Sequence, residues 1–318
     1  MLNSHMDVVK VDEKEWSHPP FDAFMDKKGD IYGRGTQDTK DVGIQYLEAI
    51  RRLKKDNITL ARTLHVTVMP DEETGGRKGM KAFVKTKDFK SLNIGFALDE
   101  GLTTSGDTLL ASFVDKRAWQ MEFLIHGVGG HGSTMPEGSA MDNAYKFINA
   151  VMAYRETQKN IIKSNNTRGA AGYTSLNINL INGGLAANII PSEMKIVVDM
   201  RLATDSDPAL MQLEVNQWMK EAGNNTEVTY LRRETKSRIT PVDETNAYWF
   251  TMRDTLTKIG VKFRPTVLPA TSDMLVLRNL GIPAIGFCTK INTTPRLHAK
   301  DEYQNVETFL KGHLLRIN

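Results

Sequence analysis

Strand-length apolar runs alternate with helix-length amphipathic stretches over residues 1 to about 112, and again from about 233 onward. Such alternation implies a mostly parallel sheet covered by helices. LNSHMDVV opens the chain as a short strand. Residues 41–54 put Ile44, Leu47, Ile50 and Leu53 on one helical face. RTLHVTVM (62–69) and NIGFALD (93–99) read as buried strands, with a helix at 75–85 between them. After 233, helices are expected at 244–259 and 273–280, then a buried strand in IPAIGF and a last helix beyond His298. The intervening block has a different order. RAWQMEFLIHG, a long helix from Ser139, YTSLNINLING, EMKIVVDMRL, a helix at 207–222 and TEVTYLRR give β-α-β-β-α-β, the ferredoxin-like pattern. The expected organisation is therefore a discontinuous α/β domain, 1–113 with 233–318, interrupted by an inserted domain at 114–232.

A chain of 318 residues accommodates two domains. Its formal net charge of +3, with no basic run interleaved with aromatics, argues against nucleic acid as a partner. No stretch is long and apolar enough to span a membrane. The single cysteine, Cys288, lies in the apolar run PAIGFCT and is expected in the core. It cannot form an internal disulfide, which fits a reducing, cytoplasmic compartment. The first residues have neither the charged nor the apolar region of a signal peptide. The sequons at Asn57, Asn165, Asn224 and Asn292 are accordingly read as chance.

The chemistry lies in what ends the apolar runs. His5, Asp38, Glu73, Asp99 and His298 suit a pair of zinc ions, with one carboxylate shared and each ion given three protein atoms. Four of them close or follow apolar runs, and ligands bind outside the carboxyl ends of parallel strands. Asp38 instead sits in the loop YGRGTQD before a helix, where a capping role is the plain alternative. Asp7 shares a strand face with His5 and is placed to fix its tautomer. In MPDEETGG, three consecutive acids repel one another unless a cation is near. Adjacent Glu72 and Glu73 point different ways, so one can bind metal while the other acts as a base. His131, among the glycines of GVGGHGS, is a further candidate, whereas His18, His65, His126 and His313 are assigned to structure or surface. GGHGS is not a G-x-S-x-G nucleophile elbow, and TGGRKGM is not a P-loop.

These motifs, with GGLAANIIPSEM, DMRL, PATSD and TPRLHAKDE in the same order, resemble the dinuclear zinc metallo-aminoacylases. Dipeptidases, glutamate carboxypeptidases and acetylornithine deacetylases are relatives. The resemblance covers nearly the whole chain and is most specific for the cytosolic enzymes that hydrolyse N-acyl-L-amino acids. It implies a zinc-exopeptidase-like fold with an inserted dimerisation or lid domain. It further implies two zinc ions per chain, one on His5 and Asp99, the other on Glu73 and His298, with Asp38 between them. Glu72 would be the general base of a zinc-bound hydroxide, and Asp7 the partner of His5. His131 would serve the site of a second subunit in a homodimer, and Asn188 and Arg201 would bind the substrate and its carboxylate. Members of the family carry a segment before the H-x-D strand, so the catalytic domain is expected to be short at its N-terminus. A dipeptidase or carboxypeptidase with the same site, and a non-catalytic short form that acts by dimerisation, are the alternatives.

Overall fold

The computed structural model describes residues 1–164, 168–223 and 225–315, and the sequons at Asn165 and Asn224 lie outside the described residues, as does the side chain of His313. Residues 1–115, 238–268 and 272–318 form one compact unit, and 116–237 with 269–271 a second.

The first unit is built on a six-stranded sheet. Its order is Phe263–Leu268, Leu109–Asp115, Ala284–Phe287, Ala97–Asp99, Leu2–His5 and Val66–Met69. Neighbours run parallel except Ala284–Phe287 against Leu109–Asp115. Helices pack on both faces. Met80, Phe89, Met274 and Leu277 join Met69, Ala97 and Ala284 in one core cluster, while Trp249 and Leu256 join Leu109, Ala111, Ile285 and Phe287 in another. Cys288 is buried with Val42 and Tyr46.

Several elements differ from expectation. The helix Lys40–Lys55 buries Val42, Tyr46 and Ala49, whereas Ile44 and Leu47 are 47% and 48% exposed. Buried polar contacts set this rotation. Asp41 pairs with Lys290 at 2.9 Å, both nearly inaccessible, and Gln45 accepts from Thr289 Oγ1. Apolar periodicity cannot register such contacts. The strand expected over 62–69 is only Val66–Met69 and lies at the sheet edge with Val66 and Val68 exposed. The strand at 93–99 is shortened to Ala97–Asp99. Residues 75–85 hold one short helix, Met80–Phe83, followed by another at Lys87–Ser91. Leu109–Asp115 is a further strand, absent from the elements expected from sequence and separated from the next strand by Lys116 alone. Phe263–Leu268, which contains Pro265 and is not among the strands expected from sequence, forms an edge strand, where proline is tolerated.

The second unit has a four-stranded antiparallel sheet in the order Thr226–Arg233, Arg117–His126, Glu193–Leu202, Ser175–Gly183. Trp119, Met121, Phe123 and Ile125, at every second position, enter one core with Phe147 and Val151 of the helix Ala140–Lys163 and Val215 and Trp218 of the helix Pro208–Glu221. Period two on the strands and helical spacing on the helices are why this unit is readable from sequence. Ser139 and Asp142 form a capping box at the start of the long helix.

One glycine fixes a strand end that matters below. A Cβ on Gly101 would lie 2.6 Å from Cys288 N and 2.8 Å from Phe287 Cα and N. These are backbone atoms of the neighbouring strand and cannot swing away. Gly101→Ala is expected to lower stability by about 1–3 kcal/mol, read as a shift in the urea midpoint of the metal-stripped chain. An unchanged midpoint would mean that the two strand ends can separate freely.

Candidate metal centre

Parallel strands deliver their C-terminal ends to one edge of the first unit's sheet, and the acids and imidazoles collect there. His5 ends Leu2–His5, Glu72 and Glu73 lie in the 3-10 turn just beyond Val66–Met69, and Glu100 is the first residue past Ala97–Asp99. Asp38 comes from the loop before Lys40–Lys55, and His298 from the loop before Tyr303–Asn305. The turn after Glu73 needs Gly75 and Gly76, whose φ angles are +94° and +65°. His298 itself has φ +62°, a left-handed conformation that non-glycine residues seldom adopt.

The donors form two triads with one member in common. His5 Nε2 lies 3.2 Å from Asp38 Oδ1 and 3.5 Å from Glu100 Oε2. His298 Nε2 lies 3.1 Å from Asp38 Oδ2 and 3.1 Å from Glu73 Oε2. His5, Asp38 and Glu100, and likewise Asp38, Glu73 and His298, each bring ligand atoms within 4.8 Å of one another. Asp7 stands behind both. Its backbone carbonyl is 2.9 Å from His5 Nδ1, and its carboxylate accepts the N–H groups of Glu72 and Glu73 at 3.1 Å each.

The electrostatics fit a divalent cation. Burial, reinforced by the charge of Glu100, pushes Glu72 well above the usual carboxylate range. Burial pushes Glu100 up to about 8. Burial opposes a charge on His5, but Glu100, Asp38 and Asp7 outweigh it and raise the imidazole. Hydrogen bonds to Asp38 and Glu73 raise His298 to about 10. A metal ion supplies positive charge to the same cluster and displaces protons from its donors. Glu73 Oε1 is buried with no hydrogen-bond partner among the described residues, as expected of an oxygen with lone pairs to give. Imidazole nitrogen with carboxylate oxygen is a donor set suited to zinc.

One sequence assignment needs correction. Asp99 is not in either triad, and Glu100 takes the place expected for it. Asp99 still belongs to the strand, where its carboxylate accepts Asn3 Nδ2 at 3.0 Å from the adjacent strand and the N–H of Glu100 at 2.8 Å. Glu100 has left the strand and reaches His5. The only sequence signal for this was the Asp-Glu doublet itself, whose members point different ways.

The remaining candidates lie in the second unit. His131 and Asn188 come together there, since Gly130–His131 pairs with Ile189–Ile190 and Gly132 N donates to Asn188 O. His131 is exposed, with Nδ1 2.8 Å from Ser133 Oγ. Arg201 is gripped by Asp199, Nε to Oδ2 at 3.0 Å and Nη2 to Oδ1 at 3.2 Å, a pairing that orients the guanidinium plane.

A mostly parallel sheet with this donor cluster at its carboxyl edge fits a metal-dependent hydrolase. The chain belongs to the peptidase family M20/M25/M40, whose profile matches residues 1–315. Membership makes it a hydrolase of amide bonds and implies a divalent metal cofactor. Within the family it is similar to aminoacylase-1. It is 38% identical to aminoacylase-1A of Rattus norvegicus over 98% of this chain and 76% of that protein. It is 33% identical to aminoacylase-1 of Dictyostelium discoideum over 98% of this chain and 79% of that protein. Among solved structures, the M20 family metallo-carboxypeptidase Sso-CP2 of Sulfolobus solfataricus superposes with a TM-score of 0.77 at 19% identity, covering 99% of this chain and 83% of that one. Human carnosine dipeptidase 1 gives 0.75 at 13% identity, over 99% of this chain and 78% of that one. At such identities these two share the fold alone.

The geometry separates Glu100 from its neighbour experimentally. Glu100→Ala is expected to remove one bound ion per chain. Asp99→Asn, which acts through Asn3, should weaken binding by about 10-fold to 100-fold at most. Elemental analysis and chelator competition on both variants decide. Loss of an ion from Asp99→Asn with retention in Glu100→Ala would restore Asp99 as the ligand.

Proposed function

We propose that this chain hydrolyses N-acyl-L-amino acids to a carboxylate and a free L-amino acid, with two zinc ions as cofactors. The observation that carries the reading is the position of Asp38, whose two carboxylate oxygens each face a different imidazole. A single carboxylate with that placement is what a pair of ions requires. His5 and Glu100 would complete one ligand set, and Glu73 and His298 the other. The similarity to aminoacylase-1 along nearly the full chain supports the substrate class.

Bound zinc lowers the pKa of water toward about 7 and polarises a carbonyl oxygen. The chain's own groups do the rest. Glu72, buried and raised in pKa, takes a proton from the attacking water as its oxygen bonds to the amide carbon. It then delivers that proton to the nitrogen as the C–N bond breaks. Asp7 holds the backbone of both Glu72 and Glu73, so the base and the neighbouring ligand keep a fixed spacing. Arg201, oriented by Asp199, receives the amino-acid carboxylate through its planar fork, and Asn188 contacts the substrate. His131 donates to the carbonyl oxygen as negative charge develops there.

The inserted unit would also pair two chains. Its strand Ser175–Gly183 is an edge, with Leu180 and Ile181 exposed, and unpaired edges invite strand addition. A cytoplasmic location accords with the buried Cys288, which is in no disulfide.

The substrate reading is tested by assaying the zinc-loaded chain on N-acetyl-methionine, a dipeptide and a folate-like glutamate conjugate. N-acetyl-methionine is expected to be turned over fastest, and Glu72→Gln to keep both metals while losing about 100-fold to 10,000-fold in rate. Preference for the dipeptide or the conjugate would reassign the substrate. Unchanged turnover in Glu72→Gln would remove it as the base.

The assignment of His131 to a second subunit has its own test. Mixing inactive His131→Ala with inactive Glu72→Gln chains should restore about a quarter of parent activity at a 1:1 ratio, since half of random dimers are mixed and each has one competent site. Exchanging, folded dimers without recovery would place His131 within its own chain's chemistry or outside it.

A further inference from the structure

The two loops that carry Asp38 and His298 are far apart in sequence, yet their ligand atoms stand 3.1 Å apart. What holds them is a buried carboxylate that the chemistry of the reaction does not use. Glu302 is fully buried. Its Oε1 accepts the N–H of Gln37 at 2.6 Å and of Asp38 at 3.1 Å, and Gly35 N donates to both oxygens at 3.2 Å. Its Oε2 accepts Arg34 Nη1 at 2.8 Å, and its own backbone carbonyl accepts Gly33 N at 2.9 Å. Gln37 ties the loops a second time. Its side-chain amide donates to Thr294 O and Tyr303 O and accepts from Arg296 N, on both sides of His298.

We propose that Glu302 is a positioning residue for the metal centre, fixing the loop of Asp38 against the loop of His298, with Gln37 as the cross-tie. The inference rests on the dizinc reading and adds to it the device that sets the spacing of one ligand pair. Three backbone N–H groups converge on one carboxylate, so the path of Gly35–Asp38 follows Glu302. Because Glu302 lies four residues after His298, any shift of one loop is passed to the other. His5 and Glu100 stand on the ends of sheet strands and do not depend on this tie. The site of Asp38, Glu73 and His298 should therefore suffer more than the site of His5, Asp38 and Glu100.

Glu302→Gln tests this, because the amide keeps the shape but sets an NH2 group against N–H donors. Zinc affinities come from chelator competition, and the ligand geometry from the visible spectrum of the cobalt-loaded chain. The parent is expected to bind two ions. Glu302→Gln should lose about 10-fold to 100-fold in affinity for one of them, with an altered cobalt spectrum and the other ion held nearly as before. A folded Glu302→Gln with both affinities and the spectrum of the parent would overturn the proposal, even if its melting temperature fell. Should Glu302→Gln fail to fold, Gln37→Ala decides. Weaker binding of the same ion supports the tie, and parental binding overturns it. A parent that binds fewer than two ions refutes the dizinc reading instead, and is recognised before any variant is compared.

Discussion

The arrangement depends on holding like charges together. Asp38, Glu72, Glu73 and Glu100 gather at one edge of the sheet, and the two imidazoles face Asp38, Glu73 and Glu100 across 3.1–3.5 Å. Left to themselves, such carboxylates would splay into water. Their backbone N–H groups are instead pinned by other carboxylates. Asp7 receives the N–H groups of Glu72 and Glu73, Glu302 receives those of the Asp38 loop, and Asn3 occupies Asp99 so that only Glu100 swings toward His5. Much of the local polar structure is spent on resisting repulsion.

The large features were legible because they follow from periodicity. Alternate residues of Arg117–His126 point inward without exception from Trp119 to Ile125, and the inserted β-α-β-β-α-β order follows. His5, Asp38, Glu73 and His298 can be singled out as candidate ligands because acids and imidazoles beside short apolar runs are costly without a purpose, and the structure gathers them into the two triads. The choice between Asp99 and Glu100 was not legible. Both follow the same apolar run, and the decision is made by Asn3 on a neighbouring strand, a contact 96 residues distant. The rotation of Lys40–Lys55 was hidden for the same reason, since Ile44 and Leu47 make a convincing apolar stripe until Asp41 and Gln45 find buried partners. Glu302 escaped notice because nothing in the sequence distinguishes a carboxylate that accepts three N–H groups from one that faces solvent.

The inserted unit shows the complementary case. Its core is conventional, with Trp119, Phe123, Phe147 and Trp218 among its largest side chains. Its candidate residues are instead displayed at the surface, His131 on a two-residue ribbon and Arg201 partly exposed beside Asp199.

The ion pair of Asp41 and Lys290 has a consequence for how this fold can drift. Both side chains are sealed from solvent, so removing either takes from a buried charge its oppositely charged partner, at a cost of about 3–5 kcal/mol. Replacing both with apolar groups of matching volume costs far less. Single steps away from the pair are therefore penalised while double steps are not. The two positions stand 249 residues apart along the chain, so a tolerated change at one calls for a matched change at the other.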